Sequence, residues 1–235
     1  MIRKIKVLTL LFLTTIVNAA EGDLYNFSWL DKDKEVYVLQ NRKFRKKGKL
    51  HVAGGYGKTI SGSFVDSMAM QVRGGYFFSE AFGFEMVYSM NSGEENEAAA
   101  SVRDAGSGSG TIPFRRIVDS YYGGMLMWSP FYSKINTFNK IIYLDFIFGL
   151  GLAQIEETNN REQFVNFNPN AAETTETHTG IMWNAAIKFY LTEMWNVRFD
   201  VNAIHYQAKR ARQDVNAEDY WYNNFDMTLA LGIDF

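Results

Sequence analysis

Residues 225–235 constrain the fold more than any other stretch, because they alternate strictly between two kinds of side chain. Large apolar residues take every second position, namely Phe225, Met227, Leu229, Leu231, Ile233 and Phe235. Small or polar residues take the positions between them, so in an extended strand the two sets point to opposite faces. At the edge of a water-soluble sheet such an apolar face would promote aggregation. A closed barrel in a lipid bilayer has no edge and buries this face in hydrocarbon.

The same two-residue period occurs eight times after position 49, which predicts an all-β fold. The predicted strands are residues 50–60, 67–79, 82–90, 116–128, 141–153, 178–191, 197–203 and 225–235. In the fourth strand two sets of apolar residues compete for the outward face. One set is Val118, Tyr122, Leu126 and Trp128, and the other is Tyr121, Met125 and Met127. We predict an eight-stranded antiparallel up-and-down transmembrane β-barrel.

The connections between the predicted strands fall into a short class and a long class. Those after strands two, four and six are short, and those after strands three, five and seven are the polar segments 91–114, 154–177 and 208–222. Short periplasmic turns and longer, mobile extracellular loops are the pattern of outer-membrane barrels. Residues 129–139 are predicted to form one of the turns, because Pro130 cannot donate a hydrogen bond within an internal strand pair.

The N-terminal residues have the pattern of a secretory signal peptide. Three basic residues precede the apolar run 7–17, which is too short to span a bilayer as a helix. We predict a signal peptide at residues 1–20, a periplasmic N-terminal lead-in at residues 21–49 and a barrel domain at residues 50–235. The formal net charge of −2 and the scarcity of aromatic residues in the basic run 41–49 predict no nucleic-acid binding. The absence of cysteine excludes disulfides and a thiol nucleophile.

Alternation alone also fits a soluble eight-stranded barrel of the lipocalin type, whose apolar face points inward to a ligand. The other face decides between the two, because glycines and alanines share it with charged residues. The interior of an eight-stranded barrel is only just wide enough for side chains, so this mixture fits a narrow polar lumen. The predicted interior charges are Arg73, Glu85, Asp145, Lys188, Arg198, Asp200, Asp226 and Asp234.

The interior charges need partners, because an unpaired buried charge is costly. The turn positions predict three pairs on neighbouring strands, which are Lys188 with Asp200, Arg198 with Asp234, and Arg73 with Glu85. Asp145 and Asp226 are then expected to contact Tyr143, Tyr206 or water.

Aromatic residues concentrate near the ends of the predicted strands. Phe78, Phe82, Trp128 and Phe235 lie towards the periplasmic side, and Tyr88, Trp221 and Tyr222 lie towards the outer side. Such clusters predict two girdles at the membrane interfaces.

Catalytic groups are scarce in the sequence. His178 and His205 lie near the predicted outer rim, with Ser109 and Glu176 in neighbouring loops. A hydrolase holds its nucleophile, base and orienting acid together, and no local pattern fixes these residues in that way. The three scattered histidines lack metal-binding spacing, so we predict no enzyme activity and no cofactor. The predicted role is structural or a surface interaction through the loops, and the alternative is a narrow channel for small solutes.

The export pattern, the eight alternating strands and the terminal Phe235 together resemble the small outer-membrane β-barrel proteins of bacteria. Residues 41–44 (NRKF) and 130–134 (PFYSK) are similar to an outer-membrane barrel-domain family of predatory and social Gram-negative bacteria. The resemblance implies a location in the outer membrane and contact with its lipids. It also implies that Phe235 is the signal read by the barrel-assembly machinery. It implies no catalytic residue, and a partner for the extracellular loops stays open.

Overall fold

The computed structural model describes residues 42–60, 62–105, 113–137, 140–166, 168, 170–210 and 218–235. The predicted signal peptide, residues 21–41 of the predicted lead-in and Ser109 lie outside these residues. The compact unit Phe44–Phe235 contains every strand described below.

Eight antiparallel strands form one closed barrel in which each strand pairs with its neighbours in sequence. The strands are β1 (Leu50–Ile60), β2 (Val65–Phe77), β3 (Phe82–Glu95), β4 (Arg116–Thr137), β5 (Lys140–Asn159), β6 (Thr174–Tyr190), β7 (Trp195–Lys209) and β8 (Asp219–Asp234). β8 pairs with β1 and closes the ring, and the Phe235 N–H donates a hydrogen bond to the Leu50 carbonyl oxygen at 2.8 Å. The predicted fold class is therefore confirmed.

The two ends of the barrel differ in their connections. The end with the short connections after β2, β4 and β6 is called the turn end, and the opposite end is called the loop end. Two helices follow strands at the loop end, α1 (Glu97–Ala105) after β3 and α2 (Arg161–Val165) after β5. Among the described residues, neither helix is long and apolar enough to cross a membrane.

Several strands extend beyond their predicted limits. β5 continues to Asn159, β6 begins at Thr174 and β7 continues to Lys209, so the connections at the loop end are shorter than predicted. At the turn end, residues 129–137 continue β4 and residues 131–137 pair with β5, so the turn predicted there is wrong. Pro130 sits in a register shift between Trp128 and Phe131, which relieves it of donating a ladder hydrogen bond.

A second register shift explains the ambiguous face of β4. It lies between Val118 and Ser120, and an extra residue in one strand changes which side chains point inward. Val118 and Tyr121 are therefore both fully buried, although they are an odd number of positions apart. Of the two competing sets, Tyr121, Met125 and Met127 point inward together with Val118. The other members of the first set, Tyr122, Leu126 and Trp128, point outward.

The bulky apolar side chains point outward, as predicted, and the charged ones point inward. Leu229 is 60% exposed, whereas Arg198 is 2% and Lys188 is 3% exposed. The interior is nevertheless less polar than predicted, because it contains an apolar cluster with residues from β2 to β7, most of them on β4, β5 and β6. This cluster includes Tyr121, Met125, Met127, Ile147, Ile155 and Met182.

Candidate functional site

The carboxylate of Glu85 is the centre of a polar network inside the barrel. It is fully buried and lies 2.5 Å from Arg198 Nη1, 3.0 Å from Arg73 Nη1 and 2.8 Å from His51 Nε2. Asp200 lies beside the same guanidiniums, 2.8 Å from Arg198 and 3.5 Å from Arg73. We call Arg73, Glu85, Arg198 and Asp200 the central network. Its two positive and two negative charges balance.

A glycine makes the contact between Glu85 and His51 possible. Gly75 on β2 is directly opposite both His51 on β1 and Glu85 on β3, so it lies between them in the ring of strands. A Cβ atom at Gly75 would lie 2.4 Å from His51 Cε1, closer than non-bonded atoms approach. The missing side chain therefore lets the imidazole reach across β2 to the carboxylate.

Two hydrogen-bonded pairs of interior residues reach across the whole ring of strands. Arg198 on β7 and Glu85 on β3 lie four strands apart, and so do Tyr121 on β4 and Asp226 on β8. The Tyr121 hydroxyl donates to Asp226 Oδ2 at 2.5 Å, and Gln71 Nε2 donates to the same oxygen at 3.0 Å. Four strands apart in a ring of eight is diametrically opposite. These side chains therefore occupy the lumen rather than line its wall.

The ion pairs agree with the prediction for Arg73 and Glu85, and the other two predicted pairs are wrong. Lys188 contacts Asp234 at 2.6 Å rather than Asp200. Arg198 contacts Glu85 and Asp200 rather than Asp234. The prediction assumed partners on neighbouring strands, whereas β6 and β8 are separated by β7. In a lumen this narrow, a long side chain reaches past the adjacent strand.

Asp145 and Asp226 also have partners that differ from the prediction. Asp145 lies 2.7 Å from Lys46 Nζ and accepts a hydrogen bond from the Tyr190 hydroxyl at 2.6 Å. Asp226 is bound by Tyr121, as described above. A tyrosine hydroxyl is present in both cases, but it comes from a residue other than the predicted Tyr143 and Tyr206.

Residues that precede β1 pack into the turn end. The Phe44 ring stacks on Tyr190 with 4.7 Å between the ring centroids. Lys46, which is 2% exposed, donates to Ser129 Oγ at 2.5 Å in addition to its contact with Asp145. The last part of the predicted lead-in thus contributes an aromatic ring and a cation to the barrel interior.

A second buried glutamate, Glu157 on β5, is surrounded by polar groups at the loop end. Arg116 Nη1 forms an ion pair with Glu157 Oε1, and the Tyr206 hydroxyl donates to Oε2 at 2.6 Å. His178 Nε2 lies 3.2 Å from Glu157 Oε1 and 3.4 Å from Glu176 Oε2. Glu176 on β6 is directly opposite Glu157. We call Arg116, Glu157, Glu176 and His178 the loop-end cluster.

The structure separates the two histidines that sequence analysis placed at the outer rim. His178 belongs to the loop-end cluster, whereas His205 accepts a hydrogen bond from Trp183 Nε1 at 2.9 Å and contacts Asn223 at 2.6 Å. His178 and Glu176 are among the residues predicted near the outer rim, but Glu157 is not. The signal for Glu157 was present, because it continues the inward positions of β5 by the same two-residue step.

The aromatic residues predicted for the girdles are placed unequally. Phe78, Phe82, Trp128 and Phe235 at the turn end are each about half exposed or more, on the outer surface. The prediction that Tyr222 belongs to the outer girdle is wrong. Tyr222 pairs with Tyr206, and the centre of its ring lies 4.1 Å from the Arg116 guanidinium. It therefore packs against the interior at the loop end.

Comparisons with known proteins point to one kind of barrel. The family model described as "Outer membrane protein beta-barrel domain" matches residues 39–232. No curated protein sequence matches the chain.

Three solved structures are similar to this chain at low sequence identity. The N-terminal β-barrel domain of Pseudomonas aeruginosa OprF is 12% identical, with 80% of this chain and 98% of that chain covered and a TM-score of 0.47. Neisserial surface protein A is 9% identical, with 80% and 96% covered and a TM-score of 0.47. OprG from Pseudomonas aeruginosa is 11% identical, with 82% and 98% covered and a TM-score of 0.45.

Proposed function

Because the chain belongs to the outer membrane protein beta-barrel domain family, we propose that it is a closed, non-enzymatic barrel with a structural or surface-interaction role. The turn end faces the periplasm in this proposal, and the loop end faces the cell exterior. Outer-membrane lipid surrounds the apolar outer face, and the barrel-assembly machinery reads Phe235. This role requires no cofactor and no nucleic acid.

The observation that supports a closed barrel is the two hydrogen-bonded residue pairs that cross the lumen. Arg198 to Glu85 and Tyr121 to Asp226 each join diametrically opposite strands with buried groups. A solute that passed through the barrel would have to separate both pairs. Opening the first would break a buried contact between charged groups, which costs about 1.5 to 3 kcal/mol, although Arg73 stays beside Glu85 and Asp200 beside Arg198. Lys46 adds a third obstacle at the turn end through its contact with Asp145.

The loop end supports the interaction role, because its segments are tied together rather than independent. Arg115 forms ion pairs with Glu95 at the end of β3 and with Glu173 just before β6. Arg103 of α1 contacts the same Glu95 at 2.5 Å. Partial burial lowers the pKa of Arg115, although a guanidinium stays charged at neutral pH. These contacts join α1, the end of β3, the residue before β4 and the residue before β6. Together they form one surface that a partner could bind.

Conductance of the full-length protein in planar lipid bilayers tests the proposal against the alternative of a narrow channel. We expect no discrete opening steps, because the bonded side chains occupy the lumen. A porin in the same bilayers serves as the positive control, and heat-modified migration on a gel verifies that the inserted barrel is folded. Reproducible opening steps would favour the channel and overturn the closed barrel.

A further inference from the structure

We propose that the loop-end cluster is a binding site for a divalent transition-metal ion such as Zn²⁺, held by His178, Glu157 and Glu176. The first reason is the charge of the cluster. Glu157 and Glu176 are two carboxylates, and Arg116 supplies one positive charge through its ion pair with Glu157. The central network, in contrast, has one guanidinium for each carboxylate. A bound cation would supply the charge that the loop-end cluster lacks.

The second reason is the distance between the potential ligand atoms. His178 Nε2 lies 3.2 Å from one carboxylate oxygen of Glu157 and 3.4 Å from one of Glu176, and one ligand atom from each residue lies within 4.8 Å of the other two. Zinc bonds of about 2.0 to 2.1 Å in a tetrahedron put neighbouring ligand atoms about 3.3 Å apart. The two distances from His178 to the carboxylates therefore match the spacing that the ion requires.

The third reason is the strand register. Glu157 and Glu176 are direct partners in the β5–β6 pair, and they share the inward face. Like charges directly opposite each other destabilise a strand pair. The imidazole of His178, two positions along β6 from Glu176, faces both carboxylates. A cation between the three groups converts this repulsion into a favourable contact.

The surrounding residues are consistent with a metal ion. The Tyr206 hydroxyl donates to Glu157 Oε2 and orients the carboxylate, and Oε1 faces His178 Nε2 as well as Arg116 Nη1. Arg116 has other partners, since it stacks on Tyr222 and donates to the Lys209 carbonyl oxygen at 2.9 Å. A nitrogen ligand favours Zn²⁺, Ni²⁺ or Cu²⁺ over Ca²⁺ and Mg²⁺, which take oxygen ligands. Three protein ligands leave a further position on the ion for water or an anion.

Metal titration of the full chain, purified without a histidine tag and stripped of metal, tests this site. Calorimetry with ZnCl₂ should give one strong site per chain, and Co²⁺ should develop the intense visible absorption of a tetrahedral ion. Glu176→Gln and His178→Ala should each lower the Zn²⁺ affinity at least about tenfold, since even outer contacts of metal ligands contribute that much. His205→Ala is the matched control, because it removes a histidine of the adjacent strand that lies outside the cluster, and its affinity should stay unchanged.

The variants also separate a real site from weak surface binding. Equal affinity in the natural chain, Glu176→Gln and His178→Ala would overturn the proposal, and so would the absence of binding in the natural chain. Heat-modified migration shows whether each variant is folded, and if His178→Ala does not fold, Glu176→Gln decides. The result is independent of the conductance experiment, because a closed barrel and a channel could both bind an ion at the loop end.

Discussion

Glu85 and Glu157 are both fully buried, and each lies beside an arginine and a histidine, yet the charges around them differ. Glu85 shares two guanidiniums with Asp200, so the central network balances and closes on itself. Glu157 faces another carboxylate across the strand pair and has one guanidinium beside it. Similar residue types therefore form a charge-balanced network inside the barrel and a cluster with excess negative charge at its loop end.

This difference teaches how a narrow barrel can combine rigidity with a binding site. A balanced network stabilises the barrel only as long as every member is present, because each loss leaves a buried charge. An unbalanced cluster contributes less to stability and is free to bind an ion. The predictions below test whether the two glutamates really differ in this way.

The largest expected effect is that of Glu85→Gln. The neutral amide would leave Arg73 and Arg198 with Asp200 as their shared carboxylate, which should lower the free energy of unfolding by about 3 to 5 kcal/mol. Denaturant unfolding in detergent micelles measures this loss. Glu94→Gln makes the same chemical change at an exposed position of β3 and should have little effect. Equal midpoints for the two variants would show that the central network does not stabilise the barrel.

Glu157→Gln should have a smaller effect. Arg116 would keep its contacts with Tyr222 and Lys209, and the amide could still accept the hydrogen bond from Tyr206. We expect a loss of about 1.5 to 3 kcal/mol in the same unfolding experiment, the value of a hydrogen bond to a charged group. A loss as large as that of Glu85→Gln would mean that both glutamates have the same structural role.

The fold could be predicted from the sequence because a barrel in a bilayer repeats one simple pattern in every strand. Lipid outside and a narrow lumen inside give each strand a large apolar face and a small or charged one, as in β8. The pattern weakens where strands leave the bilayer. Gln154, Glu156 and Thr158 point away from the interior on β5 but are polar, so this part of the strand looked like a loop and Glu157 was missed.

The partners within the interior could not be predicted in the same way. Sequence gives the face of a residue and its neighbouring strands, but Arg, Lys and Tyr side chains reach across a small lumen to several strands. Arg198 contacts a residue four strands away, and Lys46 enters from a segment before β1. Such contacts depend on the position of each residue along the barrel axis. The register shifts of β4 set these positions together with the turns.

The smallest expected effect has the opposite sign and separates the two glutamate sites most clearly. In metal-free protein at pH 8 with EDTA, Glu176→Gln removes one of two like charges that face each other across the β5–β6 pair. We expect the free energy of unfolding to rise by about 0.2 to 1 kcal/mol, the usual size of a cross-strand pair effect. Addition of Zn²⁺ should then raise the unfolding midpoint of the natural chain more than that of the variant, because the variant has lost a ligand. A loss of stability in EDTA would mean that Glu176 is already balanced without an ion, and the charge shortfall that distinguishes the loop-end cluster from the central network would not exist.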